Sequence, residues 1–147
     1  MRAYASRVIH APIDIVWDML RAFDRLYLWH AAVVDGSIDD GLDAATVGAV
    51  RSFHLADGSL VQERLVSLDV RNKELAYEFV TPAFAVDHYL ARMRVSPITA
   101  DGSSFVEWWA DFDEPTGREG QHAELIADKI FADGLSGLET YLNGTRR

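Results

Sequence analysis

The stretch AVRSFHLADGSLVQERLVSLD, residues 49–69, contains two alternating segments on either side of an Asp-Gly pair. Two strand-like segments joined by Asp-Gly are a strong signal for a β-hairpin. The second strand carries charge on both of its faces, because Glu63 belongs to one alternating set and Arg64 to the other. Whichever face turns toward the protein interior therefore takes a charged side chain with it.

This hairpin belongs to a longer succession of predicted strands and helices. A half-exposed strand over residues 3–11 is followed by a helix that begins at Pro12, whose fixed φ suits a first helical turn, and by a second short helix over residues 24–30. Six strands then follow in hairpin succession, over residues 32–38, 49–56, 60–69, 73–80, 88–97 and 103–113. Successive hairpins predict an antiparallel sheet, which must bury one face against another element.

The last predicted element is a long helix over residues 120–142. Small and apolar residues repeat along it at helical spacing, at Ala123, Ala127, Ile130, Gly134, Leu138 and Tyr141. No other predicted helix is long enough to cover the sheet. Its small residues, Gly134 and Gly137 among them, are expected to leave space against the sheet rather than fill it. The final Thr-Arg-Arg is expected to fray.

Composition narrows the class of protein. A chain of 147 residues is most simply one domain, residues 1–147, which can bury a core without disulfide or metal staples. The absence of cysteine excludes disulfides and thiolate chemistry, and a net charge of −9 disfavours binding to nucleic acid or to anionic membranes. No segment reads as a signal peptide or a membrane span, so a soluble cytoplasmic protein is expected.

Several segments, taken in order, resemble the START/Bet v 1-like superfamily, in its polyketide cyclase/dehydrase-like (SRPBCC) branch. They are APIDIVWDMLRAFDRLYLWH, VGAVRSFHLADGSLVQERL, AYEFV with HYLARMRV, FVEWWADFD and a Gly-Leu pair in the last helix, and they cover nearly the whole chain. The resemblance implies an α+β helix-grip fold. In this fold a seven-stranded antiparallel sheet wraps around a long C-terminal helix, two short helices lie between strands 1 and 2, and a cavity separates sheet and helix.

The resemblance also implies which side chains contact a ligand. On the hairpin they are Arg51, Phe53, Leu55, Val61, Glu63 and Leu65. On the later strands and the last helix they are Tyr77, Phe79, Tyr89, Ala91, Met93, Trp108, Ala110, Ala127, Ile130 and Gly134. A strand that faces a wet cavity can hold Glu63, because water and ligand solvate the carboxylate, whereas a dry core would penalise the unpaired group by several kcal/mol.

Three polar residues of the expected cavity have alternative roles. Glu63 either contacts a ligand or forms an ion pair with Arg51 or a histidine, and Arg51 either binds a substrate carboxylate or neutralises Glu63. His30 lies where the family has a polar cavity residue. It acts there either as a general acid or base or as a hydrogen-bonded structural residue. The catalytic candidates are therefore His30 and Glu63. The other histidines lack metal-ligand spacing, so no metal and no cofactor are expected.

Three functions fit these features. The first is binding of a small, largely hydrophobic or aromatic molecule, lipids included, in the cavity. The second is a cyclase/dehydratase- or hydrolase-type reaction on a polyketide-like carbonyl substrate held in the same cavity. The third is recognition of a protein partner or chaperone through the outer face of the sheet or an acidic loop. The sequence leaves a homodimer open.

Overall fold

The computed structural model describes residues 1–145, and a seven-stranded antiparallel sheet is its main element. The strands are β1 (Arg2–Ile9), β2 (Ser37–Ile38), β3 (Val50–His54), β4 (Leu60–Asp69), β5 (Glu74–Thr81), β6 (Asp87–Ile98) and β7 (Ser103–Asp113). Their spatial order is β1-β7-β6-β5-β4-β3-β2, so consecutive strands from β2 to β7 are neighbours and β1 pairs with β7. The predicted α+β helix-grip fold is confirmed.

Short helical segments connect β1 to β3. Helix α1, Ile13–Arg21, begins directly after Pro12 and has Asp14 in its first turn, where a negative charge complements the helix dipole. The second predicted helix is a single 3₁₀ turn, Leu26–Leu28, and another such turn, Asp39–Gly41, follows β2. The face of α1 that packs on the core consists of Val16, Trp17 and Leu20.

The C-terminal helix runs from residue 123 to residue 145 and changes its winding along the way. It begins with the α-helical turn Ala123–Leu125, continues as a π-helix over Ile126–Ala132 and ends as the α-helix Asp133–Thr145. The expectation that the chain end frays concerns Arg146 and Arg147, which lie outside the described residues. Within residues 1–145, no helix is both long enough and apolar enough to cross a membrane.

The π-helical winding changes which face of the C-terminal helix is buried. Residues five apart lie on the same side of a π-helix, and Ile126 and Phe131 are accordingly both fully buried. Ala127 and Ile130, which the regular helical spacing placed on the inner stripe, are only partly buried. The stripe residues Ala127 and Ile130 thus pack against the core, but the most deeply buried positions of this segment, Ile126 and Phe131, are ones that α-helical spacing did not predict.

The segment before β3 is less regular than its apolar sequence predicts. Only Ser37–Ile38 forms a strand, and Val33 makes one isolated bridge to Leu55. Between them the carboxylate of Asp35 accepts a hydrogen bond from the backbone N–H of His54 at 2.8 Å. The Asp35 side chain thus binds the His54 N–H, which a longer strand would have paired with a backbone carbonyl. The strand predicted over residues 32–38 is therefore only two residues long.

The sheet separates a packed inner face from a charged outer face. Trp108 and Trp109 are adjacent on β7 and point to opposite sides, as alternation in a strand requires. Inside, Trp108 stacks on Phe131 with ring centroids 4.5 Å apart. Outside, the guanidinium of Arg94 lies 5.4 Å from the centre of the Trp109 ring and 2.9 Å from the carboxylate of Glu107. The C-terminal helix packs on the inner face.

Candidate functional site

A cavity of about 360 Å³ lies between the inner face of the sheet and the C-terminal helix. Strands β3 to β7 line it, together with the segment after α1 and Ile130 of the helix. Ala56 and Asp57 of the β3–β4 turn also line it and are exposed, as do the half-buried Ala83 and Phe84 of the β5–β6 connection. The cavity therefore reaches the surface between these two connections.

A buried ion pair lies on the cavity wall. Arg51 and Glu63 are directly opposite each other in the β3–β4 hairpin, and each is 5% exposed. Arg51 Nε donates to Glu63 Oε1 at 2.8 Å, and Arg51 Nη2 lies 2.6 Å from the same oxygen. Arg51 Nη1 donates to the Phe23 carbonyl at 3.1 Å, and the guanidinium lies over the rings of Phe23 and Tyr77, at 4.0 and 4.7 Å.

This pairing explains how β4 holds a charge on its inner face. Burial raises the pKa of the Glu63 carboxyl, and the neighbouring Arg51 acts in the opposite direction. Of the alternatives drawn from the sequence, the ion pair of Glu63 with Arg51 is confirmed, and contact between Glu63 and a ligand stays a prediction. Arg51 neutralises Glu63, so its charge is already engaged before any ligand enters.

Two tyrosine hydroxyls add polar groups to a mostly apolar wall. The Tyr77 hydroxyl accepts a hydrogen bond from Trp108 Nε1 at 2.9 Å. Burial raises the pKa of both Tyr77 and Tyr89, so both phenols remain protonated near neutral pH. The Tyr89 ring stacks on Phe79 with centroids 4.1 Å apart. These side chains form an aromatic wall with neutral hydrogen-bonding groups.

His30 connects the segment after α1 to the C-terminal helix. Its Nε2 lies 2.7 Å from the Ile130 carbonyl oxygen, and its Nδ1 accepts a hydrogen bond from the backbone N–H of Ala32 at 3.2 Å. Because Nδ1 accepts, Nε2 carries the proton and donates. Burial lowers the pKa of the imidazole, which is therefore neutral near neutral pH. Both ring nitrogens are bonded to backbone atoms, and neither is free for a ligand.

Two glycines of the C-terminal helix, Gly134 and Gly137, serve close packing rather than open space. A Cβ atom added at Gly134 would lie 2.7 Å from Cδ2 of His30 and 2.8 Å from Cζ3 of Trp108. A Cβ atom added at Gly137 would collide with the Trp29 carbonyl oxygen. The expectation that these residues leave space is wrong, because the Trp29–His30 segment occupies it.

Most of the predicted site residues come together around the cavity. Those on its wall are His30, Arg51, Phe53, Leu55, Val61, Glu63, Tyr77, Phe79, Tyr89, Trp108 and Ile130. The others lie away from it, either buried in the core or on the C-terminal helix, and are Leu65, Ala91, Met93, Ala110, Ala127 and Gly134. Contact between any of these residues and a ligand stays a prediction.

Sequence reasoning missed the parts of the wall that come from outside the long strands. These residues are Leu26, Ala32, Val33, Ala56, Asp57, Ala83 and Phe84. Their positions in the sequence could have indicated some of them, because the β3–β4 turn and the β5–β6 connection flank the strands that carry the predicted polar residues. Among residues 1–145, no group of three histidine, aspartate or glutamate side chains is placed to hold a metal ion.

An apolar cavity between an antiparallel sheet and a long C-terminal helix defines a helix-grip domain. The sequence matches the family described as "Polyketide cyclase / dehydrase and lipid transport" over residues 1–143, and the chain belongs to this family. No curated protein matches the sequence.

Solved structures with the same fold come from bacteria and plants. An uncharacterized protein from Bacillus thuringiensis is 24% identical with a TM-score of 0.85, and the match covers 97% of this chain and 99% of that one. A Thermobifida fusca protein is 28% identical with a TM-score of 0.84, and the match covers 95% of this chain and 92% of that one. The ginseng major latex-like protein 151 from Panax ginseng is 15% identical with a TM-score of 0.74, covering 99% and 96%. The fold is therefore shared well beyond recognisable sequence similarity.

Proposed function

We propose that this protein binds a small, largely apolar or aromatic molecule in the cavity between the sheet and the C-terminal helix. The observation that carries the proposal is the cavity of about 360 Å³, which has an aromatic wall and few polar groups. Sites for small molecules are typically concave, apolar and of roughly 300–1,000 Å³, with a few polar groups that orient the ligand. Arg51, Glu63, Tyr77 and Tyr89 are such groups here.

The bonding of the polar residues favours binding over acid–base catalysis. Both ring nitrogens of His30 are bonded to backbone atoms, and Glu63 is paired with Arg51. A cyclase/dehydratase- or hydrolase-type reaction that used either residue for proton transfer would first have to break these bonds. Binding needs no such rearrangement.

The outer face gives less support to the recognition of a protein partner. Phe105 and Trp109 are the large aromatic side chains on that side of β7, and Arg94 already covers the Trp109 ring. Arg94 in turn pairs with Glu107, which also accepts a hydrogen bond from the Tyr4 hydroxyl at 2.6 Å. These groups are engaged with one another, whereas the cavity offers an apolar surface that a ligand can cover.

Fluorescence titration with the uncharged probe N-phenylnaphthylamine tests the proposal, because the probe brightens when it enters an apolar site. We expect saturable binding to the wild-type protein. Ala83→Trp fills the cavity mouth and is expected to weaken binding by at least about tenfold, a change of about 1.4 kcal/mol.

Ala45→Trp is the matched control, because Ala45 is exposed in a loop that does not line the cavity. This variant is expected to bind the probe as the wild type does. The proposal fails if the wild-type protein does not bind the probe. It also fails if a folded Ala83→Trp protein binds the probe unchanged, since the probe would then occupy another site.

A further inference from the structure

The ion pair on the cavity wall uses only one oxygen of its carboxylate. Both short contacts from Arg51, Nε at 2.8 Å and Nη2 at 2.6 Å, go to Oε1 of Glu63. Oε2 takes part in neither contact. Glu63 lines the cavity, so a ligand there would meet its carboxylate at the oxygen that neither contact uses.

The charges around the cavity disfavour an anionic ligand. Its lining includes one basic side chain, Arg51, and two acidic ones, Glu63 and Asp57. Arg51 directs its Nε and Nη2 to Glu63 and its Nη1 to a backbone carbonyl, so its charge is compensated. The remaining charge is that of Asp57 at the mouth, and the whole chain carries −9. An entering carboxylate would lose its water without gaining an unpaired cation.

The phenols favour a ligand group that both donates and accepts. Tyr77 accepts a hydrogen bond from Trp108 Nε1 and shares a further hydrogen bond with Tyr89, so one of the two phenolic protons remains for a ligand. A carboxylate ligand could accept this proton but could not donate to Glu63. An ether could accept but could not donate either. A hydroxyl group can donate to Glu63 and accept from a tyrosine at the same time.

We infer that the ligand is an uncharged, hydroxyl-bearing ring compound whose hydroxyl donates a hydrogen bond to Glu63 Oε2, and that the site discriminates against carboxylic acids. This inference rests on the proposed function and adds the chemical class of the ligand. The apolar wall holds the ring, and the charge-assisted hydrogen bond to Glu63 selects the hydroxyl group.

A matched ligand series tests this inference on the wild-type protein. Naphthol, its methyl ether and naphthoate share one ring system and differ in whether they donate, only accept or carry charge. At neutral pH we expect naphthol to bind at least about tenfold more tightly than either of the others, a difference of about 1.4 kcal/mol, measured by displacement of N-phenylnaphthylamine. If naphthoate or the ether binds as tightly as naphthol, the inference is overturned while the cavity remains a binding site.

Substitution of Glu63 provides the second test. Glu63→Gln removes the carboxylate and leaves the charge of Arg51 unpaired, so the preference is expected to reverse toward naphthoate. Glu78→Gln is the matched control, because Glu78 pairs with Arg64 on the opposite face of the sheet and does not line the cavity. Circular dichroism checks that both variants are folded. A folded Glu63→Gln protein that keeps the preference for naphthol contradicts the inference.

A different result would count against the proposed function itself. If the wild-type protein binds neither N-phenylnaphthylamine nor any compound of the series, the cavity is not a binding site for ring compounds, and the inference falls with it. If the protein binds the probe and binds naphthoate best, only the inferred ligand class is wrong.

Discussion

The buried polar residues His30, Arg51 and Glu63 are held by specific protein partners. Arg51 and Glu63 neutralise each other, and His30 is bonded at both ring nitrogens. Removal of one partner from such a pair leaves an uncompensated buried charge, which typically costs about 3–5 kcal/mol. The ion pair and His30 on the cavity wall are therefore already bonded within the protein before any ligand binds.

The protonation of His30 makes a prediction about stability and pH. Burial lowers the pKa of folded His30 below its ordinary value of 6.5, so the unfolded chain takes up a proton at a higher pH than the folded protein does. The stability contributed by neutral His30 is complete above 6.5 and is lost as the pH falls toward the folded-state pKa. We expect this group to lower the free energy of unfolding by at most about 1.4 kcal/mol per pH unit.

Urea denaturation at neutral pH and at about pH 5 measures this effect. His30→Gln is expected to be less stable at neutral pH, and its stability should depend less on pH than that of the wild type. His88→Asn is the control, because the His88 side chain is 84% exposed and its positive φ of 56° suits asparagine. An unchanged pH dependence in His30→Gln would show that His30 does not titrate in this way.

The C-terminal helix approaches the sheet and the Trp29–His30 segment too closely for ordinary side chains at two positions. Gly134 meets His30 and Trp108, and Gly137 meets the Trp29 carbonyl. The preceding π-helical segment turns both Ile126 and Phe131 inward and presents the Ile130 carbonyl to His30. The π-helical segment and the two glycines together allow the C-terminal helix to pack closely against the sheet and the Trp29–His30 segment.

Gly134→Ala tests the close approach. The added methyl group would lie within 3 Å of two buried rings, so we expect a loss of about 1–3 kcal/mol in the free energy of unfolding. Gly144→Ala is the matched control, because Gly144 lies in the same helix with no neighbouring atom within 4 Å of the added Cβ. It is expected to stabilise the protein by up to about 1 kcal/mol, since alanine favours helix more than glycine does. Equal effects in urea denaturation would contradict the packing described.

At the scale of the whole molecule, the seven strands and the C-terminal helix leave a cavity that side chains do not fill. The interior elsewhere is closely packed, with Phe23, Phe131, Leu135 and Leu138 nearly or fully buried. The apolar side chains that line an empty cavity lack the van der Waals contacts that they would make in a filled core. A ligand that restores these contacts binds the folded protein and not the unfolded chain.

Thermal unfolding measures that stabilisation. Naphthol at 100 times its dissociation constant should add roughly 2.7 kcal/mol to the free energy of unfolding and raise the Tm by roughly 5–10 °C for a domain of this size. Ala83→Trp, whose affinity is expected to be at least about tenfold lower, should gain at most about 1.4 kcal/mol at the same naphthol concentration, roughly half the wild-type effect. A Tm that rises equally in both proteins would place the stabilising site outside the cavity.

The sequence by itself determined the hairpins and the antiparallel sheet, because alternation and turn residues are local and can be read from neighbouring residues. Alternation left the inward face of β4 open, and only the family resemblance assigned Val61 and Glu63 to it. Only the tertiary structure decided the pairing of Glu63 with Arg51, the bonding of His30 to Ile130 and the use of Gly134 for close packing. These contacts depend on strand register and on a π-helical segment that no 3.6-residue pattern reveals, and they join residues far apart in the chain.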